Sequence, residues 1–176
     1  FMVFAADNPE DVSVLARNIT ENVAIKSRMP AVIFSMEKSS DILFMQMLAS
    51  QSDISIKKLM IKSLEDDDVA KIKKASKIIS NSDIYIDDTE NLSKAEIGIA
   101  LEDMWHDKGD LGLVLIDRLD LMRLHYNKDS KPGDVKKLCE FLKMLAAKIN
   151  VTIILISQIE AKADMGKCHY TTIKCY

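Results

Sequence analysis

The chain has 176 residues, with 24 Lys+Arg against 27 Asp+Glu, a near balance that excludes a domain holding nucleic acid by bulk positive charge. Hydrophobic residues at 48% and charged residues at 29% exclude intrinsic disorder, and one folded domain is the expected count. Three cysteines, an odd number, suggest no disulfide framework, so a reducing, cytoplasmic setting is expected, and no apolar run approaches the ~20 residues needed to cross a bilayer.

In chain order, five short apolar runs read as buried strands, over 1–6, 31–36, 84–86, 111–116 and 151–156. Between the first two, Val12, Leu15, Ala16, Ile19 and Val23 recur at helical spacing after Asn8-Pro9, a cap followed by the proline favoured at a first helical position. Two shorter helices are expected over 41–50 and 55–62. Val69, Ile72, Ser76 and Ile79 make the next stripe, on a segment that opens acidic and turns lysine-rich, the polarity that suits a helix dipole. Ile97, Leu101, Met104 and Trp105 make another, and Val135, Leu138, Cys139, Leu142, Ala146 and Ile149 the last.

Strand, helix, strand repeated in this way predicts the α/β class, with right-handed crossovers and a mostly parallel sheet covered by helices on both faces. Ligands in such sheets sit beyond the carboxyl ends of the strands. Those ends carry Asp7-Asn8, Glu37, Asp87-Asp88, Asp117 and Gln158. A carboxylate such as Asp117 at the end of a buried strand is costly unless it is paired or binds a metal. Asp87 and Asp88 point to opposite faces of a strand and read as an ordinary loop entry. Cys168-His169 with Cys175 falls short of a structural zinc site, and Cys139 reads as core.

The phrases Ala31-Val-Ile-Phe-Ser-Met-Glu37, Met45-Gln-Met-Leu-Ala-Ser50, Ile84-Tyr-Ile-Asp-Asp-Thr89, Leu111-Gly-Leu-Val-Leu-Ile-Asp117 and Val151-Thr-Ile-Ile-Leu-Ile-Ser-Gln158 stand here in one order. Together they resemble the RecA-like ATPase domain of the bacterial replicative DNA helicase DnaB family over roughly residues 1–160. The resemblance implies a RecA-like P-loop NTPase fold, over a single domain 1–176 shorter at both ends than the family's. It implies ATP and magnesium as cofactors. It also implies single-stranded DNA as a partner, bound weakly by one domain alone, and assembly into a hexamer or with another replication protein. Carried over by position, Glu37 is the carboxylate that activates water and Gln158 the sensor of the terminal phosphate. Asp117 holds magnesium, with Ser13 supplying the hydroxyl. Arg123, Lys128 and Lys131 lie in the loop that faces DNA. The family arrangement further places the strand at Phe1 centrally, with Glu37, Asp117 and Gln158 at one edge of the sheet.

One loop departs from the pattern. Where the family has a glycine-rich phosphate loop ending Gly-Lys-Thr/Ser, this chain reads Ala6-Asp-Asn-Pro-Glu-Asp-Val-Ser13. Asp11 and Val12 replace the glycine and lysine, and only the hydroxyl of Ser13 remains. Val12 reads instead as a core residue of a helix that begins early. At ~6 Å and an effective dielectric of ~20, each of Asp7, Glu10 and Asp11 facing a phosphate charge costs about 3 kcal/mol before screening. Nucleotide binding in the usual mode is therefore expected to be impaired. Three functional readings follow: a helicase domain with impaired or lost hydrolysis, a catalytically silent domain that binds a helicase or another replication protein, and a RecA-like regulatory ATPase outside replication.

Overall fold

The computed structural model describes residues 1–6, 8–61, 63–123, 132–158 and 171–175. Asp7, Lys128, Lys131, His125 and the Cys168-His169 pair lie outside the described residues. The elements run β1 (Met2–Ala6), α1 (Pro9–Lys26), β2 (Ala31–Ser35), α2 (Ser40–Ser52), α3 (Ile56–Met60), α4 (Asp66–Ser80), β3 (Ile84–Asp87), α5 (Lys94–Lys108), β4 (Leu113–Asp117), a 3₁₀ turn (Leu119–Leu121), α6 (Pro132–Lys148), β5 (Thr152–Gln158) and β6 (Thr171–Cys175).

The sheet order is β3-β2-β4-β5-β1-β6. All neighbours are parallel except β6, which pairs antiparallel with β1 and was not foreseen. The strand at Phe1 is not central: β4 and β5 are the middle pair and β1 lies next to the edge strand β6. Burial follows that order. All five residues of β2 and of β4 are buried, whereas in β1 only Phe4 and Ala6 are.

Alternation along the strands feeds two cores. Val32 and Phe34, Val114 and Ile116, and Ile153 and Leu155 face one side, where they pack with Ile97 and Leu101 of α5 and Leu138 and Leu142 of α6. Ile33, Leu113, Leu115, Ile154 and Ile156 face the other, against Val12 and Ala16 of α1, Leu43 and Met47 of α2 and Ala75 of α4. Each such side chain removed from water stabilises the fold by roughly 1.5–3 kcal/mol.

Two helices turn differently from their apolar stripes. In α1, Leu15 is 44% exposed, and the inward face carries Ser13, Arg17, Thr20 and Glu21 beside Val12, Ala16 and Ala24. These polar groups are tolerated because they find partners: Thr20 donates to the Ala16 carbonyl at 2.9 Å, Arg17 pairs with Glu21 at 3.3 Å and with Gln46 of α2, and Gln51 donates to Glu21 at 2.8 Å. In α4, Val69 is 39% exposed; Ile79 of the stripe is buried, and Asp68 and Ala75 are buried beside it. Asp68 turns in because it closes a capping box with Glu65 and pairs with Lys58 at 2.6 Å.

β4 starts at Leu113, two residues later than its apolar run. Gly112 donates its amide to the Pro30 carbonyl at 2.8 Å, and a Cβ at this glycine would meet Met29 Cβ at 2.6 Å. The chain here must pass too close to α1 and its exit for any side chain.

Candidate functional site at the carboxyl ends of the strands

Register fixes the geometry of the site. Ser35 of β2 pairs with Asp117 of β4, and Ala6 of β1 with Gln158 of β5, so the carboxyl ends of four parallel strands share one edge of the sheet. Glu37 follows two residues after Ser35, at the same edge. It is held there by a bond from the Met36 amide to the Asp117 carbonyl at 2.8 Å. Glu37, Asp117 and Gln158 therefore stand at one edge.

Asp117 is the buried member, 7% exposed, and among the described residues its Oδ1 has no hydrogen-bond partner. Burial pushes its carboxyl above the usual carboxylate range; the Ser13 hydroxyl and the Lys38 and Arg118 charges pull the other way. Ser13 is itself buried, on the inward face of α1. An orphaned carboxylate oxygen beside a hydroxyl is a donor pair for a hard cation that completes its shell elsewhere. Among the described residues no group of three or more His, Cys, Asp or Glu could cage a metal alone.

Glu37 is exposed at its tip and meets Arg118 Nη1 at 3.5 Å, while Arg118 Nη2 grips Asp120 at 2.7 Å. Gln158 is exposed at the end of β5. Asp87 and Asp88 serve the backbone: Asp87 accepts from the Thr89 amide at 2.9 Å and Asp88 from the Ser40 amide at 2.7 Å. The loop reading of that pair holds.

The first loop is short. β1 ends at Ala6 and α1 begins at Pro9, with Asn8 as its N-cap accepting from the Glu10 amide. Glu10 and Asp11 occupy the first helical turn, and Val12, 2% exposed, is committed to the core. The sequence reading missed Lys38. Its ammonium lies 2.6 and 2.7 Å from the two carboxylate oxygens of Glu10, bridging the β2–α2 turn to the first turn of α1. The available signal was a lysine directly after the strand-end carboxylate Glu37.

At the start of the candidate DNA loop, Arg123 donates its amide to the Leu92 carbonyl at 2.9 Å and its guanidinium to Glu96 at 2.7 Å. Glu96 closes the capping box of α5 with Ser93. Hydrogen bonds from Ser93, helped by Arg123, bring the Glu96 carboxyl down to about 2.

A mostly parallel sheet with helices on both faces and acids gathered at its carboxyl edge is an α/β arrangement that the RecA-like ATPase-domain fold shares. Solved structures agree. One of them, described as an ATPase domain, superposes with a TM-score of 0.80 at 21% identity, covering 89% of this chain and 56% of that one. A DnaB-like replicative helicase, described with its interactions with primase, gives 0.82 at 21% identity, over 90% of this chain and 38% of that one. The family model of the DnaB-like helicase C-terminal domain matches residues 1–169, and the chain belongs to that family. The replicative DNA helicase DnaC of Bacillus subtilis (strain 168) is 33% identical over 159 residues, 90% of this chain and 35% of that protein. The replicative DNA helicase DnaB of Buchnera aphidicola (subsp. Baizongia pistaciae) is 29% identical over 167 residues, 94% and 36% respectively. The chain thus spans about a third of the length of these curated relatives. Among the described residues no helix is long and apolar enough to cross a membrane.

Proposed function

We propose that this domain works in the cytoplasm within a replicative-helicase-type assembly on single-stranded DNA, and that its own hydrolysis of ATP is impaired or lost. The observation that carries the second half is the first loop. A phosphate-wrapping loop needs several residues of free backbone amide between strand and helix. Here α1 begins at Pro9, three residues after β1 ends, and its first turn bears Glu10 and Asp11. The position expected to supply a lysine is Val12, turned into the core. Residues in this loop do not fit a polyphosphate held in the family's usual way.

Magnesium fits better. Asp117, with its orphaned oxygen, and Ser13 would hold it, and a bound magnesium would neutralise phosphate charge. In this reading Glu37 and Gln158 keep the family positions for orienting water and sensing phosphate without acting in hydrolysis. Arg123, Lys128 and Lys131 would supply the contacts to DNA phosphates.

A second reading, a silent domain that docks on a helicase or another replication protein, is favoured by the same acidic loop. Steady-state ATP hydrolysis by the full chain, alone and with a single-stranded oligonucleotide, tests the proposal. Turnover at background supports it. Turnover typical of a replicative helicase refutes it. Partner capture with an unaltered sister helicase then separates the two readings.

A further inference from the structure

Lys38 stands where the site lacks a cation. The buried Val12 offers no charge, and Arg118 is engaged by Asp120 and Glu37. Lys38 is held at its backbone by Ser35, whose hydroxyl donates to the Lys38 carbonyl at 2.7 Å and accepts from the Lys38 amide at 3.3 Å. Its side chain, 16% exposed, reaches across to the first turn of α1, and its charge acts on Asp117. Both oxygens of one carboxylate meet its ammonium, as two oxygens of a phosphate would. Asp117, more than nine-tenths buried and with an orphaned Oδ1, lies within range of the Lys38 charge.

We infer that Lys38, brought in from the β2–α2 turn, is the phosphate-holding cation of this site, and that the carboxylate of Glu10 occupies it as an internal stand-in for a nucleotide's terminal phosphate. The inference rests on the reading that the first loop does not wrap phosphate. The ligand class is a nucleoside triphosphate, entering when Glu10 swings away. Glu10 is half exposed, so its release from Lys38 costs little. The site is therefore a gated one of low affinity rather than an absent one. Hydrolysis does not follow from binding here, because β1 ends at Ala6 and α1 begins at Pro9, leaving no loop of free amides between them to wrap the phosphates.

Calorimetric titration of the full chain with ATP and magnesium tests this in four forms: wild type, Glu10→Ala, Glu10→Ala with Lys38→Gln, and Glu10→Ala with Lys26→Gln. Lys26 closes the far end of α1 and serves as the charge-matched control. Circular dichroism establishes that each form is folded. Glu10→Ala is expected to bind about fivefold more tightly than wild type. Adding Lys38→Gln abolishes that gain, whereas adding Lys26→Gln leaves it. Mass spectrometry of amine acetylation supplies a direct reading: in Glu10→Ala, ATP protects Lys38 and not Lys26. Unchanged affinity in Glu10→Ala overturns the inference, as does a gain that survives Lys38→Gln or is lost equally with Lys26→Gln. Those outcomes leave the proposed loss of hydrolysis standing. Magnesium-dependent turnover by the wild type would instead remove that reading.

Discussion

The Met36 amide donates to the Asp117 carbonyl at 2.8 Å, just past the register pair of Ser35 with Asp117, and so fastens the end of β2 to the end of β4. This bond fixes the backbone around Asp117 while its buried side chain keeps an unsatisfied oxygen.

Ionising a buried carboxyl costs stability, so in metal-free buffer at neutral pH Asp117→Asn should stabilise the fold by about 1 kcal/mol, raising Tm by about 2–4 °C. The sign follows from the raised carboxyl. Its folded-state value lies above the unfolded one, so the fold gains from holding the proton. That contribution is fully present below the ordinary carboxylate range and is lost as pH rises through the raised value. The advantage of Asn should therefore shrink as thermal melts are moved from neutral pH down to about pH 4. A lower Tm for Asp117→Asn at neutral pH would contradict the account.

Gly112→Ala should destabilise the domain by about 1–3 kcal/mol, because the new Cβ would press on Met29 Cβ at 2.6 Å and Val23 Cγ1 at 2.7 Å. Gly109 is the control. It has φ 78 with open space at its Cβ, so alanine there meets backbone strain but no clash. Urea denaturation of the two variants measures the difference, and equal midpoints would show that the close approach at Gly112 is not rigid.

How much of this was legible in the sequence depended on what kind of signal each residue gave. Strands β2, β4 and β5 are buried on both faces, so continuous apolar runs found them, and the strand ends delivered Glu37, Asp117 and Gln158 to one edge. The inward face of α1 was misread because Arg17 and Glu21 are polar; only their pairing with each other and with Gln46 and Gln51 of α2 allows burial. β6 gave no signal because its pairing with β1 is antiparallel and long-range. Lys38 escaped notice because its partner Glu10 lies 28 positions away in the chain.

Glu96 should titrate near 2 by carbon-detected NMR, as the Ser93 hydrogen bonds and then Arg123 hold it ionised. Since this value lies below the unfolded one, the stability it lends is present above the ordinary Glu range and lost as pH falls towards 2. Ser93→Ala should raise the Glu96 value more than Arg123→Gln does. The reverse order would mean that the ion pair, and not the cap, governs this corner.

Binding of a single-stranded oligonucleotide by one domain should be weak and salt-sensitive. With Arg123, Lys128 and Lys131 as the contacting cations, the logarithm of affinity should fall against the logarithm of salt with a slope of about −2. Arg123 already pairs with Glu96, so Glu96→Gln should strengthen binding modestly at low salt. Fluorescence anisotropy across a salt series measures both, and tight binding by the monomer that persists at high salt would contradict the assignment.

The central claim is that the fold and strand-end acids of a DnaB-type domain persist here while the phosphate grip of the first loop does not. Magnesium-dependent ATP hydrolysis by the purified full chain, compared between wild type and Glu37→Gln with and without single-stranded DNA, tests it most directly. The account predicts background turnover in both proteins and no difference between them. Robust turnover by the wild type that disappears in Glu37→Gln would contradict it.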